Sequence, residues 1–176
     1  RIFVERPLYE RFKSDFVARV SALKVGDPLD SATDVGAIVS KQHFEKIISY
    51  IDLAKQEGGT ILCGGKSEPP ASAGGQSLGD GVISSSANWP PANAGGSDKN
   101  WPPADAGGSD KLGGWYIQPT VIEGLPHDCR TNQEEIFGPV VTIMPFDTEE
   151  EVLKYANSVR YGLSATLWTE NLSRAH

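Results

Sequence analysis

Nucleophilic and acid–base side chains are sparse in this chain. It carries two cysteines, Cys63 and Cys129, and three histidines, His43, His127 and His176. A thiol and an imidazole fall close together in His127-Asp-Cys-Arg130. A neighbouring cation lowers a thiol's pKa and raises the fraction of thiolate, the form that attacks a carbonyl carbon. Such a pairing in a polar loop is more often inert, and Cys129 is expected to be unreactive. Cys63 ends an apolar run, where a free cysteine serves as a small apolar filler. The histidines show no ligand spacing, so no metal centre is expected. One more cluster, Glu134-Glu-Ile-Phe-Gly-Pro-Val140, sets two carboxylates and an aromatic ring beside Gly-Pro. By residue type alone, Glu135 is a helix-end or surface acid and Phe137 a core aromatic.

The surrounding elements follow from apolar spacing. Ile2 to Val4 is a short strand, and Pro7 suits the first turn of a helix. Leu8, Phe12, Phe16, Val20 and Leu23 recur every three or four residues and define the inner face of that helix. Gly26-Asp-Pro28 stops it. Ser40 is the expected N-cap of a second helix, with Phe44, Ile47, Ile48, Ile51 and Ala54 inward and Gly58-Gly59 as its end. Thr60 to Cys63 is a strand. Trp115 to Ile122 is another, carrying Pro119 and so expected near an edge or bulge. Pro139 to Phe146 is apolar enough to be buried on both faces. Asp147 or Thr148 caps a helix whose first turn holds Glu149, Glu150 and Glu151, with Val152, Leu153, Ala156 and Val159 as its apolar side. Leu163 to Trp168 is the last expected strand. Strands interleaved with helices predict an α/β layer fold.

Residues 64–114 interrupt this pattern with a Gly-, Pro-, Ser- and Ala-rich insert. It contains a tandem duplication, in which 88–99 and 100–111 differ only at Asn93 against Asp105. Two short copies cannot build a stacked solenoid. The chain therefore divides into 1–63, the insert at 64–114, and 115–176. A Trp-Pro-Pro unit is a possible ligand for an aromatic groove, but a tolerated surface loop is the commoner outcome, because lengthening a loop costs little entropy.

Composition excludes several classes. With 16 basic and 23 acidic residues the formal net charge is −7, and the basic residues are scattered. No nucleic-acid partner is expected. No apolar run approaches the ~20 residues that span a bilayer, so no membrane partner is expected either. Two cysteines do not make a disulfide scaffold, which favours a reducing, cytoplasmic setting. The chain opens on Arg1 within a strand pattern and closes on Asn171-Leu-Ser-Arg-Ala-His176 as a helix begins. Both ends read as cut.

Glu134-Glu-Ile-Phe-Gly-Pro-Val140 resembles a signature of the aldehyde dehydrogenase superfamily. Four further elements resemble the same family in the expected order. They are Arg1-Ile-Phe-Val4, the connection Val25-Gly-Asp-Pro-Leu-Asp30 with Asp34-Val-Gly-Ala-Ile-Val-Ser40, Tyr116-Ile-Gln-Pro-Thr-Val121, and Asn157 to Ala165. The wording around the signature is most similar to the branch that oxidises hydroxymuconic or aminomuconic semialdehydes.

The resemblance implies a segment of a catalytic domain with a mostly parallel sheet flanked by helices. It implies NAD or NADP as cofactor and a small-molecule aldehyde as substrate, in a homo-oligomer. It assigns Glu135 to the ribose hydroxyls beside the nicotinamide and Phe137 to the wall of that site, which reverses their reading by residue type. A carboxylate accepts both hydroxyls of a ribose, and an aromatic face limits where a ring can sit. Gly138 and Pro139 are expected to set the turn that presents them. The family's attacking cysteine, its base and its phosphate cradle are expected upstream of Arg1. The chain alone is therefore expected to be inactive, a portion of an NAD(P)-dependent aldehyde dehydrogenase. The competing expectation is a non-catalytic product that uses its Trp-Pro-Pro insert as a contact surface.

Overall fold

The computed structural model describes residues 1–68, 114–171 and 173. The duplicated unit, and with it the contact-surface reading, lies outside the described residues. Strand β1 (Ile2–Glu5) leads straight into helix α1 (Arg6–Ser21), with Pro7 in its first turn. Helix α2 (Lys41–Gln56) starts at Ser40, whose side chain accepts from the His43 backbone N–H, and stops before Gly58, which has φ +90°. Strands β2 (Thr60–Cys63) and β3 (Ser67–Glu68) follow, then β4 (Tyr116–Ile117) and β5 (Thr120–Glu123). A short α3 (Arg130–Gln133), strand β6 (Val140–Phe146) and helix α4 (Glu149–Ala156) complete the order.

The main sheet runs β1-β6-β5-β2. The β1–β6 and β5–β6 pairs are parallel, and β2 lies antiparallel on β5. Alternate side chains of the strands point to opposite faces, and both faces are covered. Val4, Val121 and Ile143 meet Tyr9, Phe12, Phe16, Val17 and Val20 of α1. On the other face, Ile47, Ile51 and Ala54 of α2 meet Ile61, Ile117, Ile122, Ile136 and Val140. The fold is α/β, a mostly parallel sheet flanked by helices.

Four expectations change. Leu8 and Leu23 are exposed, and Tyr9 takes the inner position at the start of α1. The tyrosine fits there because its hydroxyl reaches the Glu123 carboxylate at 3.0 Å while its ring lies in the core. The stretch 115–122 is two strands rather than one. It breaks at Gln118-Pro119, so β4 pairs with β3 while β5 joins the main sheet between β6 and β2. The apolar residues of α4 bury nothing fully, and Leu153 is exposed. Leu163 to Trp168 forms no strand and pairs with neither open edge of the sheet; Leu163, Leu167 and Trp168 are exposed.

Candidate functional site

One face of α2 organises the Glu134–Val140 segment. Residues three, four and seven apart share a helical face, and His43, Lys46, Ile47 and Tyr50 keep that spacing. Ile47 is wholly buried, and Ile136 packs into its cluster. Lys46 Nζ donates to the carbonyl of Glu135 at 2.9 Å, and His43 Nε2 lies 2.5 Å from the carbonyl of Phe137. Tyr50 donates to the Glu134 carboxylate, which also receives Nε and a terminal nitrogen of Arg130 at 2.9 and 3.1 Å. Residues 134 to 137 are thus each held by a different group.

That grip leaves two side chains outward. Glu135 is exposed, and its carboxylate has no partner among the described residues. Phe137 is 75% exposed, so it is not a core aromatic. It is also the only non-glycine residue among those described with positive φ, at 61°. A side chain in the left-handed region costs on the order of 1–2 kcal/mol, and such strain concentrates at binding sites. The left-handed turn thus falls on Phe137 and not on Gly138 or Pro139. Gly138 serves close approach instead: a β-carbon there would meet Cδ1 of Ile47 at 2.5 Å.

The electrostatics are those of a fixed scaffold. Arg130's hydrogen bonds hold the Glu134 carboxyl below its usual value, burial opposes them, and Tyr50's hydroxyl adds to the lowering. Tyr50 itself is pushed up to about 12, by burial first and then by Glu134. Glu57, just past α2, receives the backbone N–H groups of Arg130 and Thr131 and the Thr131 hydroxyl. It supplies from a distance the cap that Cys129 does not give α3.

Cys129 is half-buried at the start of α3. Burial pushes its thiol up to about 11, and the Glu57 carboxylate adds to this. The neighbouring Arg130 and His127 are engaged elsewhere. Arg130 is spent on Glu134, and His127 stacks on Tyr155 with ring centroids 4.5 Å apart. Cys63 packs against the α1 side of the sheet and Cys129 against the α2 side. Among the described residues no three His, Cys, Asp or Glu side chains gather as metal ligands. Among the described residues, the sequence candidates Glu135 and Phe137 are both exposed, two positions apart. The groups that hold the segment, His43, Lys46 and Tyr50, have one sequence signal, polar residues interleaved with Ile47 and Ile51.

An unpaired carboxylate two residues from an exposed aromatic ring can recognise a ligand that carries hydroxyls beside a flat group. The aldehyde dehydrogenase family model matches residues 1–85 and 99–176. The chain belongs to the aldehyde dehydrogenase family. It is 39% identical over 176 residues to the 2-aminomuconic 6-semialdehyde dehydrogenase of a Pseudomonas species, covering all of this chain and 28% of that one. It is 37% identical to the 5-carboxymethyl-2-hydroxymuconate semialdehyde dehydrogenase of Escherichia coli, over 99% of this chain and 30% of that one. Among solved structures, betaine aldehyde dehydrogenase from Staphylococcus aureus in complex with NAD+ superposes with a TM-score of 0.72 at 30% identity. That match covers 99% of this chain and 27% of the other. The NAD+ complex of an aldehyde dehydrogenase from Bacillus cereus gives 0.71 at 30% identity, with 99% and 27% covered. This aldehyde dehydrogenase chain thus spans under a third of the length of these relatives.

Proposed function

We propose that this chain is part of the catalytic domain of an NAD(P)-dependent aldehyde dehydrogenase and supplies one wall of its nicotinamide site. Phe137 carries the proposal: an exposed aromatic on a left-handed backbone, within a segment pinned from α2. The residues present fit a dinucleotide. Glu135 would hold the ribose hydroxyls through its open lone pairs. Phe137 would set the plane against which the nicotinamide ring lies. Bound there, the cofactor would take up a hydride as the aldehyde becomes a carboxylic acid. In this reading the attacking thiol and the base belong to other parts of the full-length protein, and the burial that pushes the Cys129 thiol up to about 11 supports it. Chain 1–63 and chain 115–176 are two parts of one catalytic segment, divided by the 64–114 insert.

A muconic semialdehyde is the proposed substrate, on the strength of the Pseudomonas and Escherichia coli relatives. The full-length enzyme is read as a cytoplasmic homo-oligomer, in keeping with two free cysteines. The test uses the protein at its native length, with Glu135→Gln and Phe137→Ala measured against varied NAD+. Loss of an uncompensated hydrogen-bond acceptor or of an aromatic wall is expected to raise the KM for NAD+ about tenfold. Unchanged NAD+ kinetics in both variants would sink the assignment.

A further inference from the structure

We infer that His43 is a positioning residue for the cofactor: it holds Phe137 in its left-handed conformation and so sets the plane of the exposed ring. The inference rests on the nicotinamide reading of Phe137 and goes beyond it, to what makes that strained residue stay in place. Three observations converge on His43. Its Nε2 lies 2.5 Å from the Phe137 carbonyl. Its ring meets the Phe137 ring edge-on, with centroids 6.0 Å apart and planes at 69°. Its own backbone is anchored, because its N–H is the one that Ser40 caps at the start of α2. A carbonyl has no hydrogen to give, so Nε2 must be the donor and carry the proton. One imidazole therefore meets both the carbonyl and the ring of Phe137.

The rest of the grip cannot do this alone. Lys46 holds the carbonyl of Glu135, two residues earlier. Ile47 holds the side chain of Ile136 from within the core cluster. Neither touches the peptide that follows Phe137. A non-glycine residue at φ 61° relaxes towards negative φ unless its surroundings oppose the change. Turning φ to negative values about the N–Cα bond would swing the Phe137 carbonyl away from Nε2 and break the bond to His43, so that bond opposes the relaxation.

Replacement separates this role from simple packing. Glutamine carries an amide N–H2 at about the reach of an imidazole Nε2, whereas alanine carries no donor. In the protein at native length, His43→Ala is expected to raise the KM for NAD+ roughly three- to tenfold, the worth of one lost hydrogen bond, with a smaller effect on kcat. His43→Gln is expected to restore most of it. In the crystal structure of His43→Ala, Phe137 is expected to have left φ near 61°. A Phe137 that stays there without His43 overturns the positioning role, whatever the kinetics show. A released Phe137 with unchanged NAD+ kinetics overturns the nicotinamide reading instead, and Phe137→Ala must then leave NAD+ kinetics unchanged too. Equal loss in the Ala and Gln variants also overturns the role, since a donor would not have sufficed.

Discussion

Gly138 lies where a β-carbon would press on two atoms of Ile47, Cδ1 at 2.5 Å and Cγ1 at 2.7 Å. Ile47 is wholly buried. Gly138→Ala is therefore expected to cost about 1–3 kcal/mol, as overpacking of a tight core does. Urea unfolding measures it, and trimming the obstacle with Ile47→Ala in the same chain should make the alanine less costly than it is alone. If the two changes add independently, the clash is not the cause. The Gly-Pro pair was legible as a turn signal in the sequence. That Phe137 and not Gly138 takes the positive φ was not legible, because it depends on His43 and Lys46, some ninety positions away in the chain.

The short helix α3 depends on α2 for its cap. The four residues Arg130–Gln133 cannot form a stable helix by themselves. Glu57 satisfies two backbone donors at its start, at 2.9 and 3.2 Å, as well as the Thr131 hydroxyl at 2.6 Å. Burial raises the Glu57 carboxyl, but these bonds outweigh it and the net shift is downward from 4.5. The Glu134 carboxyl is also lowered from 4.5, chiefly by Arg130. A carboxyl held low in the folded state contributes stability above its unfolded value, and that contribution disappears as pH falls through the folded value. Resistance to urea should therefore be steady near neutrality and decline below about pH 4.5. Glu57→Gln should cost about 1–2 kcal/mol at pH 7, by loss of charge-assisted bonds, and should make the acid decline shallower. An equal decline in wild type and variant would remove Glu57 from the explanation. The helices themselves were legible from caps and spacing: Ser40, Thr148 and Gly58 act as expected. Leu8 was misjudged because spacing gives a face but not the depth to which each residue on it reaches.

Taken whole, the described chain has a covered centre and an uncovered margin. Strands β5 and β6 are flanked by strands and covered by α1 and α2, while β1 has no second neighbour among the described residues. Beyond α4, Leu163, Leu167 and Trp168 lie exposed in a stretch that reads as strand. Exposed apolar segments and open sheet edges drive association. The 176-residue chain, made alone, is expected to self-associate in light scattering during gel filtration. Leu163→Lys with Leu167→Glu should move it towards monomer; no change would show that other surfaces drive the association.

The sequence by itself determined the family, the α/β class and the places of most helices and strands. These depend on local matters: apolar period, caps, and the run of residues around Glu134 to Val140. It also pointed to Glu135 and Phe137 as a pair. Tertiary structure decided the rest. It paired β4 with β3 instead of continuing it into β5, left 163–168 unpaired, and raised the Cys129 thiol's pKa, by burial first and then by Glu57. It also set α2 under the signature, so that an imidazole could hold an aromatic residue in a conformation it would otherwise leave. The reason is one of distance along the chain. Each of these depends on groups far apart in sequence, and which of them meet is fixed only when the sheet and its two helices pack.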